Sequence, residues 1–178
     1  MRRIGLSFDG EHVVLFPGVV PQAAGEFPCV GARGCFLSHL GVLEAAEADD
    51  LDSIVVMEDD SGFVPNFAER SESLGRLLYG RSWDMLYLGH TSDDAHVEPV
   101  SVQDTAIGLA CLHFYAVTRH VRRALIPFSH ELASRKSGSP LGGPMHVDGA
   151  YSLFPRSPPG TRHAPRQSSA WSSTLIAK

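Results

Sequence analysis

Apolar and polar positions along the chain switch between strand-like and helix-like spacing. Val13-Val14-Leu15-Phe16 is a short β-branched run closed by Pro17-Gly18, which predicts a strand and its stop. Pro21 to Gly34 is loop-like. From Cys35 to Ala48 the apolar residues Phe36, Leu40, Leu43 and Ala46 recur at nearly helical spacing, and Asp49, Asp50 and Asp52 mark the exit. Ser53-Ile54-Val55-Val56-Met57 has the profile of a buried central strand. Glu58-Asp59-Asp60 follows at once, and Ser61-Gly62 turns the chain. Asn66, with Glu69 as capping-box partner, opens a helix that runs to about Tyr79-Gly80. Asp84-Met85-Leu86-Tyr87-Leu88 predicts a second strand ending at Gly89-His90, and Ala106 to Val117 a further strand or strand pair. Thr118 caps a basic helix from Arg119 to Leu125 that Pro127 stops. Ser134 to Pro144 reads as a flexible loop, and His146-Val147-Asp148 opens a short ordered segment through Phe154. Residues 155–178 read as an irregular Pro/Ser-rich tail.

Strands that alternate with helices predict an α/β/α sandwich with a mostly parallel central sheet. In such sheets ligands sit beyond the carboxyl ends of the strands. Glu58-Asp59-Asp60 holds that position after the most apolar strand of the chain. The length, 178 residues, suits one domain, and no internal repeat divides it. No apolar run reaches the eighteen or so residues a bilayer span requires. Met1-Arg2-Arg3-Ile4-Gly5 lacks the apolar stretch of a secretory signal, so the expected compartment is the cytoplasm.

Charge adds an asymmetry. Residues 1–100 carry 17 acidic and 6 basic side chains, net −11, and residues 101–178 carry 3 and 9, net +6. Such a split fits either an acidic metal-binding half facing a basic half that meets phosphates, or plain surface composition. No basic stripe with interleaved aromatics appears, which excludes a general nucleic-acid binder. Arg119, Arg122 and Arg123 form a basic helix face, suited to a diphosphate or an anionic glycan, or simply solvated. The three cysteines, Cys29, Cys35 and Cys111, form no CxxC and are expected as small buried thiols. His146 stands two residues before Asp148 and either completes a metal site or lies on a surface loop. Ser38 beside His39 lacks a G-x-S-x-G elbow, so a helix N-cap is the simpler expectation for it.

Three consecutive carboxylates repel one another unless something compensates them. At a strand end the natural compensator is a hard divalent cation, Mg²⁺ or Mn²⁺, shared with ligand phosphates. Extended geometry would put Glu58 and Asp60 on one face and Asp59 on the other. The alternative is a solvated acidic turn.

Gly34-Cys35-Phe36-Leu37-Ser38-His39-Leu40, followed about twenty residues later by Val55-Val56-Met57-Glu58-Asp59-Asp60, resembles glycosyltransferase family 25, which includes lipopolysaccharide-type and collagen galactosyltransferases. Asp84-Met85-Leu86-Tyr87-Leu88-Gly89, His113 to Thr118, Val147-Asp148 and Gln167-Ser168-Ser169 with Ser172 are similar to later segments of that family. The resemblance implies a GT-A-like, Rossmann-like fold. It also implies metal-dependent, inverting transfer of a hexose, galactose first, from a nucleotide sugar such as a UDP-hexose. The acceptor it implies is a glycan, lipid-linked glycan or other hydroxyl, in a cytoplasmic setting that extends to the inner membrane surface. Carried over, Asp60 looks like the metal ligand with Glu58 as its partner near the ribose or a metal-bound water. Ser38, His39, Glu58 and Asp59 line the donor side, and Asp148 is the acceptor-side carboxylate and general base. Asp148 can instead cap the helix that follows it. The family's first strand and its nucleotide-contacting turn have no counterpart here, since Arg2-Arg3-Ile4-Gly5-Leu6 matches the helix after them. The alternative function is therefore a non-catalytic carbohydrate- or nucleotide-binding pseudoenzyme of the same fold.

Overall fold

The structure, a computed structural model, describes residues 13–61, 67–79, 83–91, 110–154 and 173–177. Among these the order of elements is β1 (Val13–Leu15), α1 (Val30–Ala48), β2 (Ser53–Met57), α2 (Phe67–Leu78), β3 (Met85–Thr91), β4 (Ala110–Thr118), α3 (Arg119–Ser134), α4 (Val147–Leu153) and β5 (Ser173–Ala177). The five strands form one sheet in the order β1-β5-β2-β4-β3.

The sheet is mixed, not mostly parallel as the alternating pattern suggests. β5 runs parallel to both β1 and β2, while β4 runs antiparallel to both β2 and β3. β2 and β3 are thus parallel to each other with α2 between them in sequence, and β4 is inserted between the two. An antiparallel neighbour needs no crossover helix, so apolar spacing alone does not announce its direction. β2 is the central strand, with Ile54, Val56 and Met57 buried. The C-terminal segment supplies β5, in the middle of the sheet, where an irregular tail was expected. Thr174-Leu175-Ile176 is β-prone, and its backbone groups pair on both sides. Asn66 and residues 106–109 and 155–172 lie outside the described residues.

Helix α1 begins five residues before the expected Cys35. Cys29 is its N-cap, and the Cys29 sulfur accepts from the Ala32 amide at 3.3 Å. The helix is buried on most of its circumference, from Ala32 and Phe36 through Leu40, Val42 and Leu43 to Ala46, which blurs its apolar periodicity. Ser38 consequently sits mid-helix and not at an N-cap. Asp50 takes a left-handed conformation (φ 52°) just past the helix. The Leu51 amide returns to the Ala46 carbonyl at 3.1 Å, a Schellman-type end.

The segment before α1 is held against it at close range. Ser38 Oγ accepts from the Val19 amide and donates to the Gly34 carbonyl, both at 2.8 Å. A Cβ on Gly34 would stand 2.8 Å from the Val19 carbonyl oxygen, whereas one on Gly75 of α2 would meet nothing within 4 Å. Gly34→Val is therefore expected to destabilise by roughly 1–3 kcal/mol through overpacking. Gly75→Ala is expected to stabilise by up to about 1 kcal/mol through helix propensity. Urea unfolding of the two variants checks the contrast.

Helix α3 passes through Pro127 and ends at Ser134, where a stop at Leu125 was expected. Pro127 is exposed, while Leu125, Ser129 and Leu132 stay buried and keep the helix docked across the hydrogen bond that proline cannot make. Thr118 is the N-cap residue, but its hydroxyl donates to the Asp84 carbonyl at 3.3 Å. Helices α1, α3 and α4 pack on one another and on β4. Tyr115 of β4 faces them, and the alternate residue Phe114 meets Phe67 of α2 at a ring-centroid separation of 6.3 Å on the other face.

Among the described residues, part of the acidic half meets part of the basic half between the end of α1 and α3. Arg119 pairs with Asp50 and Asp52, Arg122 and Arg123 with Glu47, and His130 with Glu44. The arginines read as an anion-binding or solvated face clamp α3 to the end of α1.

Candidate functional site

Strand β2 ends at Met57 because the next four residues form a β-turn, closed by the Ser61 amide on the Glu58 carbonyl at 3.2 Å. The turn is anchored to β4: the Glu58 amide and Ser61 Oγ both donate to the His113 carbonyl, at 2.8 and 3.1 Å. The two-residue alternation of the strand therefore does not continue through the acidic run, and Glu58 and Asp60 are not paired on one strand face. Asp59 and Asp60 occupy the turn's two central positions and are exposed. Glu58 turns inward to α1.

There its Oε1 is hydrogen-bonded to His39 Nε2 at 2.8 Å and accepts from the Cys35 thiol at 3.6 Å. Cys35 and His39 are four residues apart on α1, which places both over the end of β2. His39 is 2% exposed, and its Nδ1 is hydrogen-bonded to the Tyr115 hydroxyl at 3.1 Å. One proton arrangement satisfies the chain: Tyr115 O–H donates to Nδ1, and Nε2–H donates to Glu58. The His39 ring stacks on Tyr115 and meets Tyr151 of α4 edge-on. Burial, with the neighbouring Tyr151 and Glu58 charges, drives the Tyr115 hydroxyl well above its ordinary pKa, so it stays protonated. Burial also raises Tyr151.

Asp148 lies in the first turn of α4. Its Oδ2 accepts from the Cys111 amide at 3.2 Å and its Oδ1 from the Gly149 amide at 2.8 Å. Cys111, near the start of β4, has φ 67°, a left-handed conformation rare for cysteine, and Asp148 holds that amide in place. β4 is antiparallel to β2, so Cys111 and His113 lie at the end of the sheet where β2 terminates. Glu58, Asp59, Asp60 and Asp148 thus share one end of the sheet, with His39 beneath. Ser38 is buried one residue from His39 and binds the Val19 backbone. His146, the N-cap residue of α4, is exposed and makes no side-chain cap bond.

Cys35, Tyr115 and Tyr151 are the site residues that sequence reasoning missed. Cys29 and Cys111 are exposed and Cys35 is half-buried, all without disulfides, where three buried thiols were expected. The Cys35/His39 spacing of four was the signal available for the first of these. Tyr115 lies in an apolar run that carries no mark of its own.

An α/β domain with an acidic turn at the end of its central strand, backed by a buried histidine, is the class these features define. Over 79 residues, 43% of this chain, it is 42% identical to the mouse protein named inactive glycosyltransferase 25 family member 3, covering 13% of that protein. The human protein of that name is 39% identical over 79 residues. A glycosyltransferase 25 family member of Aedes aegypti is 32% identical over 92 residues, 50% of this chain and 14% of that protein. Over about half its length, then, the chain is similar in sequence to glycosyltransferase 25 family members. The matches span only 13–14% of the length of these relatives. No protein-family profile and no solved structure matches it. No helix among the described residues is long and apolar enough to cross a membrane.

Proposed function

We propose that this domain, of GT-A-like descent, binds a nucleotide sugar or a carbohydrate at the carboxyl end of β2 without transferring the sugar. The observation that carries this reading is how two of its four expected site carboxylates are engaged. Glu58 is bonded to His39 inside the fold, and both oxygens of Asp148 accept backbone amides. Groups held this way fix the shape of a site. The names of the mouse and human relatives, which call them inactive, agree with it.

A second reading is a metal-dependent inverting hexosyltransferase using a UDP-hexose and a glycan, lipid-linked glycan or other hydroxyl acceptor. It is favoured by the gathering of Glu58, Asp59, Asp60 and Asp148 at one end of the sheet. The exposed oxygens of Asp59 and Asp60 fit Mn²⁺ or Mg²⁺, which when bound would neutralise a donor diphosphate. In either reading the described residues bind and orient the ligand, and in the second Asp148 would take the acceptor proton.

Calorimetry with UDP and UDP-galactose, with and without Mn²⁺, tests the proposal alongside an assay for UDP released from the sugar donor. Binding is expected, with no release above the protein-free rate. Asp60→Asn is expected to weaken the Mn²⁺-dependent part of binding, and Asp148→Asn to leave it unchanged. Turnover in the unmodified protein that falls roughly 10²–10⁴-fold in Asp148→Asn would establish the transferase instead. No heat with any of these ligands would overturn the transferase reading and the nucleotide-sugar form of the first.

A further inference from the structure

Cys35, His39 and Glu58 place three different metal-binding groups around one point. One ligand atom from each, the thiol sulfur, a ring nitrogen and a carboxylate oxygen, lies within 4.8 Å of the others. Two come from one helix at a spacing of four, and the third from a turn whose backbone is pinned to β4. We propose that Cys35, His39 and Glu58 form a zinc site, distinct in donor chemistry from a manganese or magnesium site on the exposed acidic turn. The inference does not depend on whether the domain binds or transfers sugar.

Two of the three ligand–ligand distances are close to what the ion requires. Zinc stands about 2.3 Å from sulfur and about 2.0–2.2 Å from nitrogen or oxygen, so tetrahedral ligands lie roughly 3.3–3.6 Å apart. Cys35 Sγ and Glu58 Oε1 are already 3.6 Å apart. His39 Nε2 and Glu58 Oε1, now hydrogen-bonded at 2.8 Å, must separate by roughly half an ångström. The surroundings also suit a metal-binding histidine, whose second nitrogen is normally held by an outer partner. Here Tyr115 holds Nδ1 and the stacked ring fixes the imidazole plane. When zinc binds, the Cys35 thiol gives its proton to solvent as the sulfur–metal bond forms. The ring proton is relocated from Nε2 to Nδ1, and the Nδ1–H then donates a hydrogen bond to the Tyr115 oxygen, reversing the direction of that bond. Thiolate and carboxylate then balance the ion's two charges in a half-buried place. Glu58 is 20% exposed, so the ion has a way in, and a fourth position remains for water or a ligand. A thiolate donor favours zinc over manganese or magnesium.

The test is titration of the chelator-treated full chain with Co²⁺ and Zn²⁺. One equivalent of Co²⁺ is expected to give a thiolate-to-cobalt charge-transfer band that Zn²⁺ abolishes, and Zn²⁺ is expected to raise Tm by mass action. Excess Mg²⁺ or Mn²⁺ should neither prevent the band nor displace the cobalt. Cys35→Ser should remove the band and weaken zinc binding by more than the roughly 10- to 100-fold typical of outer-partner changes. Tyr115→Phe should fall within that range and keep the band. A wild-type cobalt spectrum without the band overturns the proposal, even if Cys35→Ser fails to fold. So does zinc bound with equal affinity by a folded Cys35→Ser, which would place the ion on other residues.

Discussion

Replacing Glu47 with alanine is expected to destabilise the fold by roughly 3 kcal/mol, the lower end of the range for breaking a buried ion pair. Arg122 carries the cost. Its side chain is fully buried, with Nε and Nη2 donating to Glu47 Oε2 at 3.1 and 2.9 Å and Nη2 also donating to the Leu51 carbonyl at 2.6 Å. Its Nη1 makes no hydrogen bond. Removal of Glu47 leaves a guanidinium in the interior with one backbone carbonyl to answer it. The lower end of the range applies because Glu47 is itself 29% exposed and the Leu51 contact survives. Burial opposes ionisation of Glu47, but its hydrogen bonds to Arg123 and Arg122 outweigh this and hold the carboxyl below its ordinary 4.5. A depressed folded-state pKa gives stability that is complete above about pH 4.5 and is lost as the pH falls through the folded value. Urea unfolding at neutral pH should therefore separate wild type from Glu47→Ala widely, and the gap should close in acid. The double replacement Glu47→Leu with Arg122→Met should cost less than Glu47→Ala, because no buried charge remains. If Glu47→Ala unfolds with wild type at neutral pH, the clamp contributes nothing to stability.

That clamp also marks what the sequence could not convey. The acidic and basic halves were visible in composition, but their destination was not. A carboxylate at the end of one helix and a guanidinium in another, 75 residues on, leave no local pattern when they meet. Arg122 looked like part of an exposed basic face because the helix spacing that places it is equally consistent with solvent. β2 was legible, since a β-branched run needs burial on both faces whatever its neighbours are. The direction of β4 and the use of the C-terminal segment as an interior strand depend on pairing partners chosen by the whole sheet. Of the candidate site, the place of Glu58-Asp59-Asp60 just after β2 was legible from the apolar strand before it, whereas Asp148 was singled out by the resemblance and not by any local pattern. The inward turn of Glu58 was hidden by a four-residue turn that breaks the strand's alternation. Cys35 was readable from its spacing of four before His39 on the expected helix, but nothing local said that this face of the helix meets Glu58.

His39→Leu is expected to cost roughly 2–4 kcal/mol, from about 1–3 kcal/mol for each buried polar group deprived of its partner. The Tyr115 hydroxyl, on a fully buried residue, loses its bond to Nδ1 and stays protonated in an apolar setting. Glu58 loses its nearest partner, but it is 20% exposed and can recover part of that bond from water, so the total falls short of two full penalties. Leucine fills most of the space, which keeps the cavity contribution small. Adding Tyr115→Phe should restore part of the loss, because removing both partners of a buried hydrogen bond costs less than orphaning one. Urea unfolding of the two single variants and the double variant measures that coupling. The same proteins separate a structural histidine from a ligand-contacting one. If His39 only supports the acidic turn, folded His39→Gln, with an amide to bond Glu58, should bind UDP nearly as wild type does while His39→Leu melts early. Should His39→Gln instead keep its stability and lose UDP binding, the ring touches the nucleotide, and the inward-facing network is part of the ligand site itself.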